Sequence, residues 1–117
     1  MLTSEGKSRK DADGSRARWL MVQGSVDNEN AGVVLMSNPE NYNFPEPLRV
    51  WPEDQNGRGD MFVNLSPTKN KEWILKPGNQ YILQYRLLVF SGAITKETAE
   101  YAWQNYAGLF KITVKLF

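Results

Sequence analysis

A chain of 117 residues can bury one core but not two, and its 41% apolar and 12% aromatic content excludes a chain too polar to fold. Fourteen basic against thirteen acidic side chains leave a net charge of +1, so no whole-molecule field recruits nucleic acid or an anionic membrane. No apolar run approaches the roughly 20 residues needed to cross a bilayer. The lack of any cysteine or histidine removes disulfides, thiolate nucleophiles, Ser-His-Asp catalysis and the usual zinc or iron ligands, and neither a metal nor a cofactor is expected.

Residues 1–15 are polar, charged and glycine-containing, which predicts a flexible polar arm ahead of a folded domain over 16–117. The arm has no apolar core of the kind a signal peptide carries. A cytoplasmic protein is therefore expected, or a periplasmic or secreted one if the natural start lies upstream. From Arg16 to Val26 bulky side chains fall on both faces of a strand, with Trp19 and Met21 on one and Leu20 and Val22 on the other. Asp27-Asn28-Glu29-Asn30 is a turn cluster, and Ala31 to Met36 resumes a β-branched apolar run, so the pair predicts an antiparallel hairpin.

Ser37 to Pro47 contains three prolines among Asn and Ser residues and predicts a long irregular loop. Short strands are expected at Leu48 to Trp51 and Met61 to Ser66, separated by a glycine-rich turn at 57–59. Lys76-Pro77-Gly78-Asn79 has the order of a type II turn. Gln80 to Phe90 carries bulk on both faces and predicts a central strand. Thr95 suits an N-cap, and Ala99, Ala102, Trp103 and Tyr106 share one face of a helix over 95–107. After Gly108, residues 109–117 alternate as a last strand. The expected fold is mainly β, an antiparallel β-sandwich of seven or so strands with one helix in the C-terminal region.

Five segments, LTSEGKSRKDADGSRARW (2–19), VDNENAGVVLMSNPEN (26–41), FPEPLRVWP (44–52), GRGDMFVNLSP (57–67) and LKPGNQYILQYRLLVF (75–90), resemble in order and spacing the bacterial family labelled PmoA-type "methane oxygenase". The resemblance implies a part of a galactose-mutarotase-like supersandwich in proteins associated with carbohydrate metabolism. It runs over the C-terminal part of family members and so implies a preceding half that supplies further strands. Many relatives carry His-Pro where this chain has Asn38-Pro39. Oxygenase activity is not expected, because a copper or iron site of that kind draws on histidine.

Two groups of residues have the chemistry of a ligand surface. Arg16, Arg18 and Trp19 combine guanidinium forks with an aromatic plate, suited to a sugar acid; the competing reading is a strand whose arginines pair with nearby carboxylates and whose tryptophan is core. Asn41, Arg49 and Trp51, with Asn38, bracket the proline-rich loop and offer amide, guanidinium and indole groups to sugar hydroxyls and ring faces. Glu46, Glu53, Asp54 and Asp60 would serve glycosidase chemistry if a pair stood about 5 to 9 Å apart, but solvated charge is the simpler account. No catalytic residue is assigned. Three functions follow: a carbohydrate-binding or accessory domain, a portion of a sugar-active enzyme using carboxylate acid/base chemistry completed elsewhere, and a structural module forming a homodimer through exposed sheet edges.

Overall fold

The computed structural model of the chain describes residues 1–108; the strand expected over 109–117 lies outside them. Six strands and one α-helix are formed: β1 (Leu2–Thr3), β2 (Trp19–Val26), β3 (Glu29–Ser37), β4 (Leu48–Val50), β5 (Val63–Leu65), β6 (Tyr85–Ser91) and α1 (Lys96–Tyr106). A four-stranded antiparallel sheet has the order β1-β2-β3-β6, and β4 and β5 pair antiparallel as a second sheet.

The hairpin of β2 and β3 organises both layers. Asp27 and Asn28 adopt φ of 50° and 65°, the left-handed pair of a two-residue turn whose twist matches that of the strands it joins. Pairing then runs from Val26 opposite Glu29 to Trp19 opposite Met36. In that register Trp19, Met21, Val34 and Met36 project to one face and meet Ala99 and Trp103 of α1. Leu20, Val22 and Leu35 project to the other and meet Leu48, Val50, Val63 and Leu65 of β4 and β5. The result is mainly β, two sheets face to face in a sandwich-like arrangement, with the helix packed on the outer side of the larger sheet.

The N-terminal fifteen residues differ from the composition-based expectation of a flexible arm. Leu2 and Thr3 pair with Met21 and Leu20, Thr3 and Ala12 are fully buried, and the Gly14 N–H donates to the Leu48 carbonyl at 2.8 Å. Arg9 donates to the carbonyls of Trp51 (3.2 Å), Gly59 (3.1 Å), Asp60 (2.7 Å) and Pro52, so a charged residue of low apparent packing value ties the start of the chain to the 52–60 loop. The position of β6 also differs from expectation. Bulk on both faces suggested a central strand, yet among the described residues β6 is the edge of its sheet, and Leu87 and Val89 are 62% and 77% exposed. Apolar pattern reports what a face can bury, not what lies against it.

The helix forms where its periodicity places it. Thr95 is extended and its hydroxyl accepts from the Thr98 N–H, satisfying one of the free donors of the first turn. No helix among the described residues is long and apolar enough to cross a membrane.

Gly32 sits opposite Phe90 and Gln23 in the two ladders. A Cβ there would stand 2.5 Å from Phe90 Cζ and 2.6 Å from the Val22 carbonyl oxygen; the ring can swing, but the backbone oxygen cannot without disturbing the hairpin. Gly32→Ala is expected to lower the unfolding free energy by about 1–3 kcal/mol, as overpacking does, measured as a reduced urea midpoint at unchanged m-value. A wild-type midpoint would show that the strands separate freely at this point.

Candidate ligand-binding surface

The six residues singled out in the sequence are split by the fold into three places. Arg18 and Trp19 lie at the end of β2 beneath α1. Glu100 accepts from Arg18 Nη2 at 3.0 and 2.9 Å and from the Trp19 indole N–H at 2.6 Å, while Arg18 Nη1 reaches Glu5 at 2.7 Å. The same guanidinium lies 5.2 Å from the centroid of the Trp103 ring. Trp19 is fully buried and presents no face to a ligand. Burial raises the Glu100 pKa, but the Trp19 and Arg18 hydrogen bonds and the Arg18 charge outweigh it and hold the carboxyl below its ordinary value. This is the arrangement of the competing reading, arginine paired with carboxylates and tryptophan as core. It docks the helix.

Arg16 and Asn41 are occupied with the proline-rich loop. Arg16 Nη1 donates to the carbonyls of Asn43 (3.1 Å) and Pro45 (2.7 Å) and to the Asn43 side chain (3.1 Å). Asn41 is buried; its amide donates to Gln84 O at 2.7 Å and Ser37 Oγ at 3.1 Å, and its carbonyl accepts from the Gln84 N–H at 2.8 Å. Both ends of that side chain are used.

Beside Asn41 is a group that composition alone assigned to solvated charge. Glu46 is 0% exposed, and both oxygens accept from hydroxyls, Ser37 Oγ at 2.5 Å and the Tyr85 phenol at 2.9 Å. None of the four ion pairs among the described residues includes it. Ser37 also closes the link to the helix, its carbonyl accepting from the Trp103 indole at 2.8 Å. Tyr85 forms one wall of an open cavity of about 230 Å³ with Leu35, Asn64, Leu65 and Leu87. Glu46 stands between two prolines, a loop pattern in the sequence, and its hydroxyl partners lie 9 and 39 residues away, beyond the reach of local signals.

Arg49 and Trp51 face outward. Leu48 and Val50 alternate into the core with Arg49 exposed between them, opposite the exposed Asn64 of β5. The Trp51 N–H continues the pairing by donating to the Phe62 carbonyl at 3.0 Å. The Trp51 and Phe62 rings stack with centroids 5.2 Å apart at 30°, and the Arg49 guanidinium lies 5.6 Å from the Phe62 centroid. Phe62, 37% exposed, was not among the residues read as a site, and the available signal was its position two residues beyond Asp60 at the start of a strand alternating with β4. A second aromatic group, Tyr42 stacked on Trp73 at 4.6 Å with Tyr81 edge-on to Trp73 at 5.6 Å, fastens the irregular 66–84 segment to the loop; Lys71 covers Tyr42 at 4.8 Å.

A family of unknown function (DUF6807) matches residues 1–104. The chain belongs to that family. The match takes in Glu46 and its hydroxyl partners as well as the Arg49, Trp51 and Phe62 group, and so frames both features as parts of a DUF6807 domain. No curated protein and no solved structure matches the chain. Among the described residues no group of three or more acidic side chains is placed to hold a metal ion.

Burial and then the hydrogen bond and charge of Glu46 push the Tyr85 phenol well above its ordinary value of 10.0. A folded-state pKa above the unfolded one makes this contribution complete below pH 10.0 and lost as pH rises through the folded value. Tyr85→Phe is expected to remove a late-titrating phenol from an ultraviolet absorbance titration and to cost on the order of 1–3 kcal/mol at neutral pH, because Glu46 keeps only one donor. A wild-type titration with no phenol ionising above the ordinary range would contradict the Tyr85–Glu46 hydrogen bond.

Proposed function

We propose that this chain is a carbohydrate-binding or accessory domain whose ligand lies on the outer face of β4 and β5. The observation that carries the reading is the stacked pair of half-buried Trp51 and exposed Phe62 with the Arg49 guanidinium beside it. Stacked aromatics accommodate the apolar face of a pyranose ring, a neighbouring guanidinium donates to its hydroxyl oxygens, and an amide both donates to and accepts from its hydroxyls. The rings sit on a short two-stranded sheet whose inner face is core, so their positions are set before a ligand arrives and little ordering entropy opposes binding. The resemblance of five segments to the PmoA-type family, and through it to mutarotase-like proteins of carbohydrate metabolism, supports the same reading from the sequence side. Trp51→Ala is expected to abolish glycan binding in an array or by calorimetry while the far-ultraviolet circular dichroism stays that of the wild type. Retention of full affinity by that variant would remove the aromatic pair from the site.

A second reading, a homodimer formed edge to edge through β6, is favoured by a different observation. Leu87 and Val89 are exposed on the face of the larger sheet whose Leu20 and Leu35 pack against β4 and β5, on a strand whose ladder among the described residues is with β3 alone. Two copies of β6 pairing antiparallel about Leu88 would set Leu87 against the partner copy's Val89 and extend the sheet, the usual hazard and use of an open edge. Sedimentation velocity over a range of concentrations tests it: a mass rising to twice that of the chain, and returning to the monomer in Val89→Lys, is expected. A single monomeric species at every concentration would dispose of it.

A further inference from the structure

We infer that the ligand of the β4–β5 face is an acidic carbohydrate, one whose carboxylate or sulfate is held by Arg49; this rests on the carbohydrate reading above and narrows it. Four of the arginines are already committed within the domain. Arg9 is taken up by four carbonyls, Arg16 by the 43–45 turn, Arg18 by Glu5 and Glu100, and Arg58 by Asp60 at 2.8 Å. Among the described residues Arg49 and Arg86 alone have guanidinium groups without a hydrogen-bonded acceptor, and Arg86 lies over Tyr106 of the helix at 4.6 Å. Arg49 is the one that lies on the sheet carrying the stacked Trp51–Phe62 pair.

Its contact with Phe62 fixes the side chain without consuming an N–H donor, since a ring face attracts the cation and accepts no conventional hydrogen bond. Five donors in a planar fork then remain for a planar or tetrahedral oxyanion, the geometry for which arginine is better suited than lysine. The acids nearby do not occupy it. Asp13, whose carboxyl feels the Arg49 charge, accepts from the Val50 N–H at 2.9 Å and from Lys69 at 3.0 Å; Asp60 is paired with Arg58. Each of these carboxylates is matched by its own cation, so neither cancels Arg49. A sugar acid that sets its ring on Trp51 and Phe62 and its oxyanion on Arg49 uses both halves of the surface, whereas a neutral sugar offers the guanidinium only uncharged hydroxyl oxygens.

The experiment measures calorimetric affinities of the full chain for three oligosaccharides of equal length, one uronate-bearing, one sulfated and one neutral. At least one acidic ligand is expected to bind about tenfold or more tightly than the neutral one, the gain of one charge-assisted hydrogen-bonded pair, and to weaken as salt is added. Arg49→Gln is expected to abolish the acidic preference, so that the acidic and neutral ligands bind this variant equally. Which acidic ligand wins separates carboxylate from sulfate. Equal affinities for all three, or an acidic preference that survives in Arg49→Gln, overturns the inference while Trp51-dependent binding leaves the carbohydrate reading standing. Binding of none of the three at millimolar concentration overturns both. Arg49 is exposed and unpaired, so its substitution leaves the fold intact, which a wild-type melting profile verifies.

Discussion

The two-residue turn at Asp27 and Asn28 sets the register of β2 against β3, and the two cores of the domain depend on that register. Both residues stand at positive φ, which Asp and Asn tolerate better than other non-glycine residues. Because side chains alternate with a period of two, a slip of one residue would send Trp19 and Met21 to the side of β4 and β5 and Leu20 toward the helix. The indole of Trp19 would lose Glu100, and Trp103 would lose the wall formed by Val34 and Met36. Two differently shaped partners, one sheet and one helix, thus read opposite faces of one hairpin, which makes the correct register the sole one that satisfies both.

Buried polar contacts then fix what the apolar cores leave loose. The proline-rich loop cannot form a ladder, because its prolines lack donors, and it crosses from the larger sheet to the smaller one. Arg16, Asn41 and Glu46 hold it by side-chain hydrogen bonds instead. Low local dielectric makes each such contact stronger when made and costly when broken. Glu46 illustrates the balance: a carboxyl without a cation is tolerated in the interior because hydroxyl donors meet both oxygens, and the phenol that meets one of them stays protonated as a consequence. The loop is therefore a strut, and β4 is delivered to its place against Leu20 and Leu35.

Much of this was legible in the residues and part of it was not. Alternation over 19–26 and 31–36, the helical spacing of Ala99, Ala102, Trp103 and Tyr106, and the Thr95 cap all act between near neighbours, and local signals report them faithfully. The N-terminal residues were misread because their order comes from Arg9 and Gly14 bonding to backbone more than thirty residues away, contacts to which composition is blind. The edge position of β6 was missed for a related reason, since bulk on both faces of a strand states a capacity for burial that the fold need not use. Arg18-Trp19 and Arg49-Trp51 present the same residue types in the sequence. What separates them is Glu100, 82 residues from Arg18, which claims one pair for the helix and leaves the other untouched.

That separation is also the physical basis for locating function. A side chain already committed to two or three intramolecular hydrogen bonds gives up those bonds before it can serve a ligand, at a cost comparable to what the ligand returns. Arg16, Arg18 and Asn41 are in that position. Arg49 is not: its contact with Phe62 orders it while its donors stay available, and the ring that orders it is the one stacked on Trp51. Preorganisation and availability normally oppose each other, because what fixes a polar side chain is usually a hydrogen bond to its polar end. A cation held by a ring face escapes that conflict, and on this domain it does so on the outer side of a sheet whose inner side is locked into the core.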